Sequence, residues 1–402
     1  MAKRRSRQSL SLVGAIVVIL FILYNVILGG GGNGNGTPTV PPVVAGADTQ
    51  ANTSVDTAVP ATAGATYGST WLKIYFTNPN PPDQVNQGID QIVVAEVNQA
   101  QKTIDVTSFD LNLPSFVNAV AAAARRGVQV RVVYDGENGG QTLDANQSPT
   151  GKEFDAVSVM KDAGVQLVND GRSNGLMHDK IIIIDSKTLF MGSWNMSYND
   201  TFRNNNNLLE ITDQTLVANY QAKFDELFID KRFGTHAEIG AQTPEMMIDG
   251  TKVLNYFSPV DNVMDKLVGL VNGAQKSIRF IAFTYTDKDL AAAMIDRYKA
   301  GVDVAGVIEN RGASQGALVP LACAKVPVKV DGNKYTMHHK VIVIDDSIVI
   351  TGSFNFTKSA DTANDDNVLV IYDPAVAKQY LAEYERVNRI AKDPDPADLT
   401  CS

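Results

Sequence analysis

Thiols and positive charge are both scarce in this 402-residue chain. Cys323 and Cys401 are its only cysteines, too few to build a zinc site. An exported setting would allow them to pair, but Cys401 lies at the end of the chain, where fraying opposes a disulfide. The net charge is −9, and it is −11 after residue 70, because residues 1–70 hold four cations and two anions. An acidic body binds polyanions poorly, which disfavours tracking along nucleic acid but still allows one local cationic pocket.

Polar residues are almost absent from Leu12 to Leu28, and four cations precede this run. As a helix the run would cover about 25 Å, close to the ~30 Å hydrocarbon core of a bilayer. We expect residues 1–28 to form an uncleaved signal anchor, a transmembrane helix; the alternative is a signal peptide cleaved among Gly29 to Gly32. The positive-inside rule places the rest outside the cytoplasm, either on a single-pass cell-membrane protein or on a secreted one. Residues 29–70, nearly uncharged and rich in Gly, Pro, Thr and Ala, predict a flexible linker.

The rest of the chain contains one pattern twice. Residues 98–109 (NQAQKTIDVTSF) resemble residues 272–283 (NGAQKSIRFIAF), and residues 177–197 match residues 337–357 without a gap at an offset of 160. Strands that alternate with helices predict an α/β fold built twice. We place the first domain at 71–235, a linker at 236–250 and the second domain at 251–402.

Each copy carries a histidine and a lysine two residues apart at the start of an aliphatic run. Because strand residues two apart share a face, His338 and Lys340 point one way while His339 points the other, and His178 and Lys180 are related similarly. The full spacing H-x-K-x4-D-x6-G-S-x-N occurs in both copies. A single H-x-K at a strand end is usually surface decoration, but a repeated set of six positions is not explained that way.

These paired motifs resemble those of the phospholipase D superfamily, and the likeness extends over nearly all of residues 71–392. The resemblance implies two tandem phospholipase D-like α-β-α sandwich repeats, related by a pseudo-two-fold axis that brings both motifs into one cleft. The segment GSFNFT in the second copy is similar to the small bacterial nuclease branch of the family.

The resemblance implies a phosphodiesterase in which one histidine attacks phosphorus and the other protonates the leaving oxygen. Fixed donors, two of them cationic, would hold the phosphate in place of a metal ion, so we expect no metal and no other cofactor. The expected catalytic residues are His178, His338, Lys180 and Lys340. The expected supporting residues are Asn195, Asn355, Ser193, Ser353, Asp185, Asp345, Asp366 and Asn206.

The two histidines are expected to be inequivalent. Related nucleases carry a glutamate 28 residues after each histidine that orients an imidazole, and this chain has Asn206 and Asp366 at those places. By resemblance to members with two motifs, we favour His178 as nucleophile and His338 as acid. A carboxylate that steadies its own repeat's histidine would instead favour attack by His338.

Several substrates fit this chemistry. Our leading interpretation is hydrolysis of a phospholipid headgroup ester near a membrane surface. The alternatives are a metal-independent endonuclease acting on DNA or RNA, and a transphosphatidylase resembling cardiolipin synthase. An apolar rim around the cleft would favour lipid, and a basic strip would favour nucleic acid. The intact double motif argues against a non-catalytic binding module, and no obligate protein partner is implied.

Overall fold

The computed structural model describes residues 69–79, 88–148 and 150–401. The predicted transmembrane helix (1–28) and all but the last two residues of the predicted linker (29–70) lie outside the described residues. Within the ranges described, no helix combines the length and the apolar character needed to cross a bilayer.

The first repeat forms a seven-stranded mixed sheet with the strand order β1-β7-β6-β5-β2-β3-β4. Its strands are β1 (Leu72–Phe76), β2 (Thr103–Ser108), β3 (Gln129–Tyr134), β4 (Gln166–Asn169), β5 (Ile181–Ile184), β6 (Thr188–Gly192) and β7 (Asn207–Ile211). Its helices are α1 (Asp90–Gln99), α2 (Pro114–Arg125), α3 (Ala156–Asp162), α4 (Tyr198–Phe202) and α5 (Gln214–Asp225), followed by a π-helical turn (Glu226–Asp230) and a 3₁₀ turn (Gly234–His236).

The second repeat forms an eight-stranded sheet with the order β12-β11-β10-β13-β14-β15-β9-β8. Its strands are β8 (Glu245–Ile248), β9 (Thr251–Ser258), β10 (Ser277–Ala282), β11 (Asp303–Ile308), β12 (Val328–Val330), β13 (Lys340–Ile344), β14 (Ile348–Gly352) and β15 (Asp366–Tyr372). Its helices are α6 (Val263–Asn272), α7 (Lys288–Lys299), α8 (Leu318–Cys323), α9 (Lys358–Thr362) and α10 (Pro374–Asn388), with 3₁₀ turns at Ala313–Gln315 and Pro396–Asp398.

Seven strands of the second sheet repeat the order of the first, which confirms a mixed α/β fold with two sheets. The additional strand, β8, pairs antiparallel with β9 at the sheet edge. It lies inside residues 236–250, the predicted linker, so part of that segment belongs to the second sheet.

Helices cover both faces of each sheet, as the unbroken aliphatic runs predict. In β5, Ile181 and Ile183 join the central core, which contains α5 and α10 and contacts both sheets. Ile182 and Ile184 join the outer core under α1, α2 and α3. The second sheet alternates in the same way along β13, with α6, α7 and α8 on its outer face.

The two cysteines pair, contrary to the expectation that fraying would oppose a disulfide. Cys323 at the end of α8 is bonded to Cys401, with the Cα atoms 5.5 Å apart. The segment after α10 is held against the second sheet, because the Lys392 and Val330 backbones exchange hydrogen bonds of 2.8 and 2.9 Å. The chain up to Cys401 is therefore anchored rather than frayed.

Candidate active site

The two motif histidines lie where the repeats interlock. His178 N donates to Asp365 O at 2.9 Å, just before β15, and His338 N donates to Asn205 O at 2.9 Å, just before β7. The same contact thus occurs twice with the repeats exchanged, as a pseudo-two-fold arrangement requires. Each motif is fixed against the loop of the other repeat.

A carboxylate orients the imidazole of His178. Asp366 Oδ1 lies 2.6 Å from His178 Nδ1 and accepts a second hydrogen bond from Ser353 Oγ at 2.6 Å. An ionised carboxylate only accepts, so Nδ1 carries the hydrogen and Nε2 keeps its lone pair. Ser353 Oγ thus donates its hydrogen to Asp366 and helps to position that carboxylate.

An amide orients the imidazole of His338. Asn206 Oδ1 lies 2.9 Å from His338 Nδ1 and accepts from Ser193 Oγ at 2.8 Å, while Asn206 Nδ2 donates to Asp200 O at 3.0 Å. Because the amide oxygen is the acceptor, the ring again carries its hydrogen on Nδ1. Ser193 thus positions Asn206, which orients His338, as Ser353 positions Asp366.

The supporting residues thus cross between the repeats, and this overturns one line of sequence reasoning. Asp366 follows His338 by 28 residues in the second repeat, and we considered it as the partner of that histidine. The structure pairs Asp366 with His178 instead. The imidazole with a carboxylate on its Nδ1 is therefore His178 and not His338.

Burial sets the protonation state of both imidazoles. It lowers the pKa of His178 and of His338 well below the ordinary value, and the ammonium groups of Lys180 and Lys340 lower both further. Asp200 opposes this effect at His338 only. The unliganded site at neutral pH therefore holds neutral imidazoles with free Nε2 lone pairs, as a nucleophile requires.

The two lysines place buried positive charge in the site. Lys180 Nζ donates to His178 O at 2.6 Å, and Lys340 Nζ donates to His338 O at 2.8 Å. Burial lowers the pKa of Lys180 to about 8 and that of Lys340 well below its ordinary value. Neither ammonium has a carboxylate within ion-pair distance in the described part of the chain, so a phosphate group would supply the missing anion.

Two half-buried phenylalanines flank the histidines. Phe109 packs edge-on against His178 with ring centroids 5.1 Å apart, and Phe283 packs likewise against His338 at 4.7 Å. Each ring also lies within 5.3 Å of the ammonium group of the neighbouring motif lysine. Neither phenylalanine was predicted to lie in the site, although Phe occupies the same position in the two copies and was a usable signal.

The two motif asparagines differ in their availability. Asn195 Nδ2 donates to Asp200 Oδ2 at 2.6 Å, so the amide group that we expected to bind a phosphate oxygen is already engaged. Asn355 Nδ2 is not engaged by another described residue. Asp200 itself, buried beside the site, was missed in the sequence because it belongs to no repeated position.

The structure places the motif aspartates away from the phosphate site. Asp185 and Asp345 follow β5 and β13 at the ends opposite the histidines, in the left-handed conformation with φ near +52°. Asp185 accepts hydrogen bonds from the backbone of residues 101–103, and Asp345 from that of residues 275–277. Our grouping of them with phosphate-supporting residues is therefore corrected: they hold a turn.

His339 follows the expectation from strand alternation. His339 turns away from the site and bonds Glu383 Oε1 through Nε2 at 2.7 Å. Trp194, Phe354 and Tyr285 are core residues, each at most 2% exposed. His236 is on the surface. No group of three or more His, Cys, Asp or Glu among the residues described could hold a metal ion.

Comparison with known proteins shows the family of both repeats. A family model described as "Cardiolipin synthase, PLD-like domain" matches residues 93–228 and again residues 267–388, together more than half of the chain. The chain belongs to the phospholipase D superfamily. Each match covers the motif of one repeat, so membership in this family of phosphodiesterases rests on both halves.

Relatives resemble single portions of the chain. A mitochondrial cardiolipin hydrolase of Xenopus tropicalis is 35% identical over 129 residues, 32% of this chain and 61% of that protein. A phospholipase D of Rickettsia bellii is 36% identical over 136 residues, 33% of this chain and 68% of that protein. The chain thus spans less than two thirds of the length of the Xenopus relative.

A solved structure shares the fold over most of the chain. The phosphatidylserine synthase of Haemophilus influenzae Rd KW20 superposes with a TM-score of 0.59 at 14% identity, covering 79% of this chain and 87% of that one. At this identity the likeness concerns the fold alone.

Proposed function

We propose that this protein is a metal-independent phosphodiesterase that acts through a covalent phosphohistidine on His178. The observation that carries the proposal is a pair of imidazoles, each of which has its Nδ1 hydrogen-bonded to a residue of the other repeat. Beside them lie two buried ammonium groups that have no carboxylate within ion-pair distance among the described residues. Such a site suits an anionic phosphodiester.

In the first step, His178 Nε2 attacks phosphorus and the bond from phosphorus to the leaving oxygen breaks. His338, protonated at Nε2 once the anionic substrate is bound, gives that proton to the leaving alkoxide. Lys180 and Lys340 offset the charge that grows on the non-bridging oxygens. In the second step, His338 takes a proton from water, the water oxygen attacks phosphorus and the phosphorus–nitrogen bond breaks.

Asp366 suits His178 to the attacking role. A phosphorylated imidazole becomes cationic, and the carboxylate at 2.6 Å from Nδ1 stabilises that charge. The amide of Asn206 offers His338 a weaker acceptor. The inequivalence expected from the sequence thus supports His178 as nucleophile.

We further propose a phospholipid headgroup ester as substrate, for a protein anchored with its catalytic body outside the cytoplasm. The names of the two relatives, cardiolipin hydrolase and phospholipase D, support a lipid, as do the phenylalanines beside both histidines. The disulfide supports an oxidising compartment. The family description, cardiolipin synthase, supports transfer to an alcohol in place of water as a variant of the second step.

One observation favours nucleic acid as a second candidate substrate. Arg203 lies over the rings of Tyr198 and Tyr335 at 5.1 and 4.7 Å, and Lys334 lies over Tyr335 at 4.9 Å. This cationic and aromatic cluster borders the loop that leads to His338, and stacked rings with cations are features of single-strand binding.

Trapping the intermediate tests the mechanism. We expect the full-length chain to cleave phospholipid vesicles, or single-stranded DNA for the second candidate, equally with and without EDTA. Acid quenching is avoided, because phosphohistidine survives base but not acid. With a labelled aryl phosphodiester, His338→Ala should accumulate label on the protein, and His178→Ala should not.

The exposed His236 provides the matched control, and His236→Ala should behave as the wild type. Label retained in His178→Ala would overturn the assignment of the nucleophile. Inactivation by EDTA would overturn metal independence.

A further inference from the structure

We propose that Asp200 is a positioning residue that supports the protonated form of His338, in place of the carboxylate that position 206 lacks. This inference rests on the proposed function, because it assigns the electrostatic partner of the acid histidine. Asp200 belongs to no repeated motif position, and its part follows from its place beside the imidazole.

The geometry brings Asp200 close to His338 without a direct hydrogen bond. Asp200 Oδ2 lies 3.6 Å from His338 Nδ1, while Asn206 Oδ1 occupies the hydrogen-bonding position at 2.9 Å. Asn206 and Asp200 therefore affect His338 in different ways. Asn206 fixes the tautomer, and Asp200 supplies the negative charge.

The two repeats show that this carboxylate is relocated. At the offset of 160, Asn206 corresponds to Asp366 and Asp200 corresponds to Ala360. Each repeat therefore contributes one carboxylate to the histidine of the other repeat, but the two carboxylates come from different positions in their repeats. Both imidazoles keep one acidic neighbour, at 2.6 Å from His178 Nδ1 and at 3.6 Å from His338 Nδ1.

Among the described residues, His338 is the group at ion-pair distance from the Asp200 carboxylate that can become a cation. Asp200 is 3% exposed, and its carboxylate accepts hydrogen bonds from Asn195 and Asn204, which are neutral. No Lys or Arg lies within ion-pair distance of it among the described residues. A buried carboxylate without a cation is costly unless a neighbour becomes charged, and His338 is the group that does so.

The charges around His338 act in opposite directions. Burial raises the pKa of Asp200, but His338, Asn204, Asn195 and Lys340 outweigh that effect and hold the pKa below its ordinary value. At His338, the groups that face the ring are Lys340, Lys180 and His178, which lower its pKa, and Asp200, which raises it.

The consequence concerns the leaving group. An alkyl ester needs a proton from His338 to depart, whereas a nitrophenolate leaves without one. Asp200→Asn keeps the size of the side chain and removes its charge. We expect it to lower the rate of alkyl ester cleavage about tenfold or more, and to leave the first-turnover release of nitrophenol from an aryl ester within about twofold.

The pH profile gives a second readout. His338 must be protonated to act as acid, so loss of Asp200 should move the alkaline limb of alkyl ester cleavage to lower pH. The variant Asp200→Asn with Asn206→Asp places a carboxylate directly on His338 Nδ1, as Asp366 is placed on His178. It should restore both the rate and the alkaline limb.

A matched control separates positioning from loop damage. Thr201 lies in the same short helix, and Thr201→Val removes the hydrogen bond that Thr201 Oγ1 accepts from Trp194 Nε1 and the one that it donates to Ser197 O, without changing charge. We expect the ratio of alkyl to aryl rates to stay at the wild-type value in this variant. Thermal denaturation checks that every variant is folded.

The outcomes distinguish the two proposals. If alkyl and aryl rates fall together in Asp200→Asn, or if the double variant does not rescue, Asp200 is structural and the inference fails. If the wild type forms no phosphohistidine, or if activity survives in His178→Ala, the proposed function fails instead.

Discussion

Lys180 and Lys340 are buried cations whose positions suit a bound anion better than the folded protein alone. Both are 2% exposed, and each lowers the pKa of the other motif's histidine. Burying an ammonium without a carboxylate partner disfavours the folded state. The site therefore carries an electrostatic cost to the stability of the fold, which the proposed binding of an anionic phosphodiester would reduce.

Replacing one of these cations should separate the two quantities. We expect Lys340→Met to lower kcat/KM by about 1000-fold or more, since it removes a donor to the transition state. The free energy of unfolding should rise by about 1 kcal/mol or stay level. Urea denaturation in phosphate-free buffer measures it, and a loss of stability in Lys340→Met would contradict this account.

At the scale of elements, the motif aspartates define the turns after β5 and β13. Asp345 accepts from Gln275 N, Lys276 N and Ser277 N at 2.9, 2.7 and 3.0 Å. Burial raises the pKa of Asp345, but these three backbone donors outweigh it and hold the pKa below its ordinary value. The carboxylate thus ties the β13–β14 turn to the start of β10.

Asp345→Ala should therefore affect stability rather than chemistry. We expect a loss of about 1–3 kcal/mol in the free energy of unfolding, with kcat within about twofold of the wild type. Because the folded pKa is lowered, the contribution is present at neutral pH and is lost as pH falls through the folded pKa. The difference from the wild type should shrink in acid. The matched variant Asp185→Ala should behave alike, and a selective loss of kcat in either would return these residues to the site.

The sequence was sufficient for what lies within one repeat and insufficient for what lies between two. Strand alternation predicted that His339 turns away from His338, and the aliphatic run predicted that β5 is covered on both faces. The crossing of Asp366 to His178 was not predictable from spacing, because it depends on how the repeats pack. Asp200 was not predicted for a related reason. Comparing the two copies identifies the residues that they share, and Asp200 corresponds to Ala360 in the second copy.

At the scale of the whole molecule, the repeats are specialised for each other through Asp365. This fully buried carboxylate accepts from Arg172 Nη2 at 2.7 Å and from Gly234 N at 2.9 Å, and Lys223 Nζ lies 3.5 Å away. All three donors belong to the first repeat. The related position in the first repeat is Asn205, whose side chain bonds a neutral amide.

Among the described residues, the donors to the Asp365 carboxylate come from the first repeat, so removing this buried charge should weaken the contact between the two repeats. We expect Asp365→Asn to lower the free energy of unfolding by about 3–5 kcal/mol, because Arg172 and Lys223 lose a buried anion. Asn205→Ala, the matched control, should cost about 1 kcal/mol. A double-mutant cycle of Asp365→Asn with Arg172→Met, followed by urea denaturation, should give a coupling energy above about 1.5 kcal/mol. Additive effects would instead show that Arg172 and Asp365 stabilise their own repeats separately, and the charge would then have no part in holding the two motifs together.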